Sequence, residues 1–426
     1  MRHWLIFTAL FLPLAIPFWA HADDPAPAKE PPDSVSANDT KNQDDAYKAV
    51  AEFMNVIHIL RENYIDPDKA TYDKLIKGAM KGMLQELDPY SIYESREHYK
   101  NTMDETRGEF GGLGIVITTQ NNALEVVAPM EDTPGFRAGI LPGDIIIEID
   151  GKSARNMDLN DCVKLLKGPP GTKVDLTIFR KNDGTTKKIT VERAMINVSP
   201  VKGAKIIDDG IGYVRITQFS APTAEKLDEA LKKLKKDGGL KALILDLRGN
   251  PGGLMSSAIQ VCSRFIKKGE LVVYTEARDD KEKREFRSMD CDKTTDIPMA
   301  VLVNGHSASA SEIVAGCLKD QRRAVIIGEK TFGKAYIQTI LPLPDGGAAR
   351  FTTGQYFTPA KRSIHKTGVA PDIVIAPPQA DEIKLAAQRS AWPGVIKPDT
   401  PGSVTDTQLQ RAVEILKGIC LFSSEK

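Results

Sequence analysis

The sequence predicts an α/β protein of more than one unit, and three observations carry that reading. From about Ala194 onward, short apolar strands alternate with amphipathic helices, the succession of an α/β core with functional turns at strand ends. Between about 109 and 193 the chain is instead strand-like and rich in glycine. Ahead of that stretch, two helical segments each end in Asp-Pro punctuation. The 426 residues leave room for two or three domains, and 41% hydrophobic residues supply a substantial core. Lys+Arg and Asp+Glu both number 57, so the broad positive field of a nucleic-acid binder is absent.

The first 22 residues read as a secretory signal. Arg2 supplies positive charge, an apolar run follows from Leu5 to Phe18, and Ala20-His21-Ala22 is a small-x-small cleavage site. The run is short for a membrane span and is broken by Pro13 and Pro17, which favours cleavage after Ala22 over a retained anchor. No cysteine follows it at a lipid-attachment position. Residues 23–45, rich in Pro, Asp, Ala, Lys and Asn, are expected to form a disordered leader. Residues 46–108 form a helical region. Val50, Phe53, Met54, Ile57 and Leu60 recur at helical spacing, and a second helix runs from about Tyr72 to Leu87, stopping at Asp88-Pro89. Their apolar faces suit ordinary packing or a dimer surface.

Residues 109–193 carry the string Ala138-Gly139-Ile140-Leu141-Pro142-Gly143-Asp144-Ile145-Ile146-Ile147-Glu148-Ile149-Asp150-Gly151. A short helix around Cys162, Leu165 and Leu166 and strands near 174–178 and 188–191 complete the module. This pattern resembles a PDZ domain. The resemblance places the carboxylate-binding loop at Gly112, Leu113, Gly114 and Ile115. Glycines there let consecutive N–H groups converge on a terminal carboxylate while the peptide adds as a strand. By itself, a Gly-Leu-Gly-Ile bend would more often be an ordinary turn.

The core, 194–378, holds the chemistry. Strands are expected at 212–216, 242–247, 271–274, 299–303 and 324–327, with an amphipathic helix over 224–235 whose lysines form a solvated face. After the strand Met299–Val303, the run Asn304-Gly305-His306-Ser307-Ala308-Ser309-Ala310-Ser311-Glu312 turns into a helix. A hydroxyl at such a helix start meets exposed N–H groups that can stabilise a developing negative charge. Thr331-Phe332-Gly333-Lys334 places a lysine on a glycine turn. A lysine in an apolar pocket can lose its proton near neutral pH and take one from a serine. Together the two segments suggest a Ser-Lys hydrolase, although geometry does not choose among Ser307, Ser309 and Ser311.

These motifs resemble the carboxyl-terminal processing, or tail-specific, proteases, a group of Ser-Lys peptidases. The S-A-S-A-S-E pattern matches Ser307–Glu312, T-F-G-K-x-x-x-Q matches Thr331–Gln338, and R-x-N-P-G-G matches Arg248–Gly253. Leu87-Asp88-Pro89-Tyr90-Ser91 and Gly368-Val369-Ala370-Pro371-Asp372 extend the match over about 46–376. The resemblance implies a crotonase/ClpP-like peptidase core with an inserted PDZ domain and an N-terminal helical region. It implies Ser309 as nucleophile, Lys334 as base, Gln338 as the lysine's partner, and the N–H groups of Gly253 and Ala310 as the oxyanion site. It further implies export to the periplasm or the outer face of the cytoplasmic membrane and substrates with apolar C-terminal tails. A homo-oligomer and an adaptor or regulator protein also fit it; nucleic acid, metal and cofactor do not enter. Two departures stand out. Ala335 replaces the usual glycine, which matters only if that position needs positive φ. His365-Lys366 replaces the usual Gln-Gly and is expected on a loop surface.

Three other readings compete. Gly328–Lys334 mimics a P-loop, but Ala335 stands where the Ser/Thr metal ligand belongs and the following residues look extended. A Ser-His-Asp hydrolase would need a base such as His365 with Asp372. A non-catalytic PDZ scaffold would have no use for Ser309, Lys334 and Gln338 together. The five cysteines, Cys162, Cys262, Cys291, Cys317 and Cys420, are scattered and contain no C-x-x-C pair; they read as mostly buried small hydrophobes. The tail, 379–426, carries one helical segment at 409–416 and no legible chemistry.

Overall fold

The computed structural model describes residues 37–423 except 121, 131–132, 142, 182–183, 198, 280–282, 293, 295, 379–380, 382–383, 386–387 and 390–403. The expected signal segment and the first part of the leader lie outside the described residues. The leader's last part does not follow the expectation: helix α1 spans Ala37–Asn63, so helix begins nine residues before the anticipated boundary. Six of the nine added residues are Asn, Asp or Thr, weak helix formers, so local propensity does not explain the extension. α2 (Tyr72–Leu87) starts at the cap Thr71 and stops at Asp88, where the backbone becomes extended. The N-terminal region is not purely helical. β1 (Ile92–Glu94) precedes α3 (Arg96–Arg107), which is capped by Ser95 and closed by the left-handed Gly108. Among the described side chains of α1, from Asp45 on, only Ile57 is buried; Val50, Phe53, Met54 and Leu60 are exposed.

β2 (Glu109–Gly112) leads into a module formed by β3 (Ile115–Gln120), β4 (Ala123–Pro129), α4 (Pro134–Arg137), β5 (Asp144–Ile149), β6 (Lys152–Ser153), α5 (Leu159–Leu166), β7 (Lys173–Arg180) and β8 (Thr185–Glu192). The sheet order is β3-β4-β5-β7-β8, with β6 on β5, and every pairing is antiparallel. Alternate residues point inward, so Leu124, Val126, Ile146, Leu176 and Ile178 pack with Ile140 and Cys162 in one closed core. β9 (Ala194–Asn197) pairs with β2, clasping the module where the chain enters and leaves it.

The larger core follows: β10 (Val201–Asp208), β11 (Ile211–Ile216), α6 (Thr223–Gly238), β12 (Ala242–Asp246), α7 (Met255–Ser263), β13 (Leu271–Ala277), β14 (Arg284–Arg287), β15 (Met299–Val303), α8 (Ala310–Asp320), β16 (Val325–Gly328), β17 (Tyr336–Pro342), β18 (Ala348–Phe357), β19 (Ile373–Val374) and α9 (Thr407–Ser423). One sheet has the order β10-β11-β12-β15-β16-β19. Only the β10–β11 pair is antiparallel. Both faces are covered, which is why Ala242–Leu247 and Met299–Val303 read as unbroken apolar runs but for Asp246. Val214, Leu243, Leu245, Val301 and Val303 face α6, α7 and α8. Tyr213, Ile244, Ala300 and Leu302 face Ala412 and Leu416 of α9. A second, antiparallel sheet runs β1-β18-β13-β14 with β17 also on β18, so a strand of the N-terminal region joins the core. No helix among the described residues is long and apolar enough to cross a membrane.

Candidate active site

Three parallel strands end at the same edge, where open α/β sheets place their sites. β12 runs into Arg248–Gly253, β15 into the Ser309 turn, and β16 into the Lys334 turn. The first two turns are stitched together. Asn304 Oδ1 accepts from Gly249 N at 2.9 Å, and Asn250 O accepts from Ala308 N at 3.0 Å and Ser311 Oγ at 2.9 Å. Ser307 Oγ donates to Leu247 O at 2.9 Å. The structure thereby separates the three serines. Ser307 and Ser311 are fully buried and their hydroxyls are committed to backbone carbonyls, whereas Ser309 is partly exposed.

Ser309 is the N-cap of α8 and holds φ 53°, ψ −115°, a conformation a serine keeps only where its surroundings over-determine it. The surroundings here are a buried carboxylate. Glu312 accepts from the N–H of Ser309 at 2.9 Å, Gly333 at 2.7 Å and Lys334 at 2.9 Å, and from Thr331 Oγ1 at 2.5 Å. The same oxygen, Oε2, serves Ser309 and Lys334. One carboxylate with no solvent exposure thus ties the serine turn to the lysine turn. The side chain of Tyr356, buried on β18, backs the lysine turn: its hydroxyl donates to Lys334 O. Burial, followed by the Glu312 charge, pushes the Tyr356 phenol well above its ordinary range.

Lys334 Nζ donates to Gln338 Oε1 at 3.0 Å and lies 4.6 Å from the centre of the Tyr90 ring. Its pKa is lowered, first by burial and then by the Arg350 charge, while Asp88 pulls the other way. Gln338, on β17, faces the lysine as the four-residue spacing on an extended segment requires. Gly253 and Ala310 complete the cluster. A Cβ at Gly253 (φ 138°) would come within 2.1 Å of Phe219 O, and one at Gly252 within 2.7 Å of Ser309 Cβ and 3.0 Å of Ala310 N. Only glycine lets this loop lie against the Ser309 turn. Among the described residues no hydrogen bond occupies the N–H of Gly253 or Ala310.

Ser309, Ala310, Gly253, Lys334 and Gln338 therefore share one place. The residues Gly112, Leu113, Gly114 and Ile115 do not; they bridge β2 and β3 in the separate module. There Leu113 is buried, Gly114 has φ 69°, and neither donates a backbone hydrogen bond among the described residues.

Residues 210–375 match the model of peptidase family S41. A carboxy-terminal-processing protease of Bartonella bacilliformis is 44% identical over 349 residues, 81% of this chain and 79% of that protein. The chain belongs to the S41 carboxy-terminal-processing proteases. It is accordingly a serine-type peptidase, and it carries a PDZ domain, matched over 125–180. Residues 16–98 match the N-terminal domain of the activating protease CtpB. A Staphylococcus haemolyticus protein described as a CtpA-like serine protease is 37% identical over 318 residues, 74% of this chain and 63% of that protein. A solved S41 protease structure from Bacteroides fragilis shares the fold, with TM-score 0.54 at 19% identity over 85% of this chain and 97% of that one.

Two departures from the S41 pattern now have physical accounts. Ala335 is buried and is not among the positive-φ residues; that conformation falls on Gly333, so alanine fits unstrained. Lys366 does hold φ 59°, which explains a glycine as the usual residue there. His365 corrects the expectation of a surface position: its ring stacks on Tyr336 at 4.2 Å and both ring nitrogens are buried without a hydrogen-bond partner. Asp372, its imagined partner, is bonded to Lys319 and to Ile326 N. The P-loop alternative fails because β17 follows the lysine as strand.

The tail is the larger correction. Arg248, fully buried, donates to Asp246 through Nε at 3.0 and 3.1 Å and through Nη2 at 2.7 Å, and reaches Asp406 at 2.8 Å and Gln408 at 2.9 Å through Nη1. Burial acts to raise the Asp246 carboxyl, but Arg248 overrides it and holds the pKa at about 2. Residues just before and at the start of α9 thus anchor the arginine that opens the Gly253 loop. Nothing in the local sequence around Asp406 announces a partner 158 residues earlier; the available signal was a charged residue directly after a buried strand, which demands partners. All five cysteines are free, and Cys162, Cys262 and Cys317 are buried as expected.

Proposed function

We propose that this S41 peptidase is an exported serine endopeptidase that receives protein substrates by their apolar C-terminal tails and cleaves them with a Ser309–Lys334 pair. The observation that carries the proposal is the Glu312 carboxylate, one oxygen of which accepts from the backbone of both residues. Neutral Lys334 takes the Ser309 hydroxyl proton as Oγ attacks the scissile carbonyl. The oxyanion forms against the N–H groups of Gly253 and Ala310. The Lys334 ammonium then protonates the leaving amine, and a water activated by the regenerated amine hydrolyses the acyl-enzyme. Gln338 holds the amine in place between the two half-reactions. Depression of the lysine's pKa by burial and Arg350 supports this role.

In the same proposal the PDZ domain spans 109–193 and the peptidase core 194–378, between the helical region 46–108 and the C-terminal extension 379–426. The open N–H groups at Leu113 and Gly114 support capture of a substrate carboxylate at Gly112–Ile115. The exposed Val50, Phe53, Met54 and Leu60 support a homo-oligomer joined through α1. Export to the periplasm or the outer membrane face rests on the signal pattern of residues 1–22.

The test is cleavage of a reporter protein with and without an apolar C-terminal tail, by the wild type and by Ser309→Ala. Cleavage that needs both the tail and Ser309 is expected. Equal cleavage of the two reporters would refute tail recognition, and an active Ser309→Ala would refute the nucleophile.

A further inference from the structure

The amine of Lys334 is seated partly by a segment far from the core in sequence. Tyr90 lies in the turn between α2 and β1, inside the stretch that matches the CtpB N-terminal domain and outside the one that matches the peptidase. Its carbonyl accepts from Gln338 Nε2 at 2.6 Å. Gln338 Oε1 accepts from Lys334 Nζ at 3.0 Å, so both ends of the amide are committed and its orientation is fixed. The Tyr90 ring meets the same amine, 4.6 Å from its centroid, and stands edge-on to Tyr336 at 5.9 Å.

The turn is itself rigid. Asp88 Oδ1 accepts from the N–H of Tyr90 at 2.7 Å and of Ser91 at 2.9 Å, and Asp88 Oδ2 accepts from Ser91 Oγ at 2.7 Å. Ser91 Oγ accepts from Thr352 N at 3.3 Å on β18, and β1 pairs with that strand. These bonds link the end of α2 to the strand beside the lysine.

We infer that Tyr90 is a positioning residue for the hydrolytic base, its carbonyl fixing Gln338 and its ring seating the Lys334 amine, so that the N-terminal region completes the peptidase site. The inference rests on Lys334 being the base. An aromatic face favours the ammonium that exists between the two proton transfers, whereas burial disfavours it. An aliphatic side chain offers no such face and leaves the amine free to swing away from the serine.

The experiment measures kcat and KM on a tailed reporter for the wild type, Tyr90→Phe, Tyr90→Leu and Lys334→Ala, per folded molecule by circular dichroism. Tyr90→Phe keeps the carbonyl and the ring and is expected to retain kcat within about threefold. Tyr90→Leu is expected to lose kcat by roughly 20-fold or more with KM within about twofold, because positioning acts on the chemical step. Should Tyr90→Leu not fold, Tyr90→Met carries the same expectation. An aliphatic variant with near-wild-type kcat beside an inactive Lys334→Ala overturns this inference alone. Equal losses in Tyr90→Phe and the aliphatic variant also overturn it. An active Lys334→Ala removes the base and the inference with it.

Discussion

The Ser309 turn and the Gly112–Ile115 loop of the PDZ domain are both short bends beside a strand, and both leave backbone N–H groups without a hydrogen bond among the described residues, but their surroundings differ. Around Ser309 the polar neighbours are consumed: Ser307 Oγ donates to Leu247 O, Ser311 Oγ to Asn250 O, and Glu312 takes the N–H groups of Ser309, Gly333 and Lys334, while among the described residues the N–H groups of Gly253 and Ala310 carry no hydrogen bond. Around Gly114 it is the carbonyls that are spent, Gly114 O on Met130 N and Thr133 Oγ1 and Leu113 O on Gly135 N. Leu113 and Gly114 leave their N–H groups open, and Val116 and Phe136 nearby are exposed. The first arrangement suits chemistry, which gains from groups fixed in advance. The second suits docking of varied tails, where a backbone strand and an apolar pocket suffice.

That contrast breaks most visibly at Glu312. Glu312→Gln keeps the shape but replaces one acceptor oxygen with a donor among four donors. Activity per molecule is expected to fall at least about 100-fold, and stability by about 2–4 kcal/mol, since a buried donor is left unmade; steady-state kinetics and urea melts check both. Arg248→Met comes next. It strands the Asp246 carboxylate inside the protein and should cost about 3–5 kcal/mol in the same melts. Because Arg248 holds that carboxyl at about 2, well below the unfolded value, the network's stabilisation is present at neutral pH and is lost only as pH falls toward 2.

On the docking side the effect is smaller and different in kind. Gly114→Ala forces a side chain onto φ 69° and within 2.3 Å of Thr133. The preference for a tailed over an untailed reporter should shrink about tenfold in kcat/KM, as one distorted docking loop costs roughly 1.4 kcal/mol. A loss shared equally by the two reporters would contradict the separation of the two regions. The smallest expected effect is electrostatic. Only the neutral amine accepts the serine proton, so kcat/KM climbs with pH through the Lys334 titration, below the ordinary lysine range. Arg350→Gln removes a charge that depresses this pKa and should move the climb to higher pH; Asp88→Asn removes an opposing charge and should move it lower.

The sequence made the fold and the central pair legible because both are written locally. Buried parallel strands are continuous apolar runs, and the serine and lysine sit on turns directly after such runs. Glu312 was in view inside the serine motif, three residues after a helix cap, the spacing of a capping box, yet its second half, the lysine turn, lies 22 residues on in the chain. The contacts of Tyr90, a residue of the Leu87–Ser91 motif, and of Asp406 were not legible. Their partners are 248 and 158 residues away, and only the pairing of β1 with β18 and the packing of α9 on the sheet bring them in. His365 misled for a related reason: a polar residue in a loop reads as solvated until Tyr336 is seen stacked on it.

The most direct test of the account is the rate of tailed-reporter cleavage by Lys334→Ala beside that by His365→Ala, both checked for folding. The account predicts that the lysine variant loses at least about a thousandfold in kcat, while the histidine variant stays within about tenfold of the wild type. Undiminished cleavage by the lysine variant, with activity lost in the histidine variant, would contradict it.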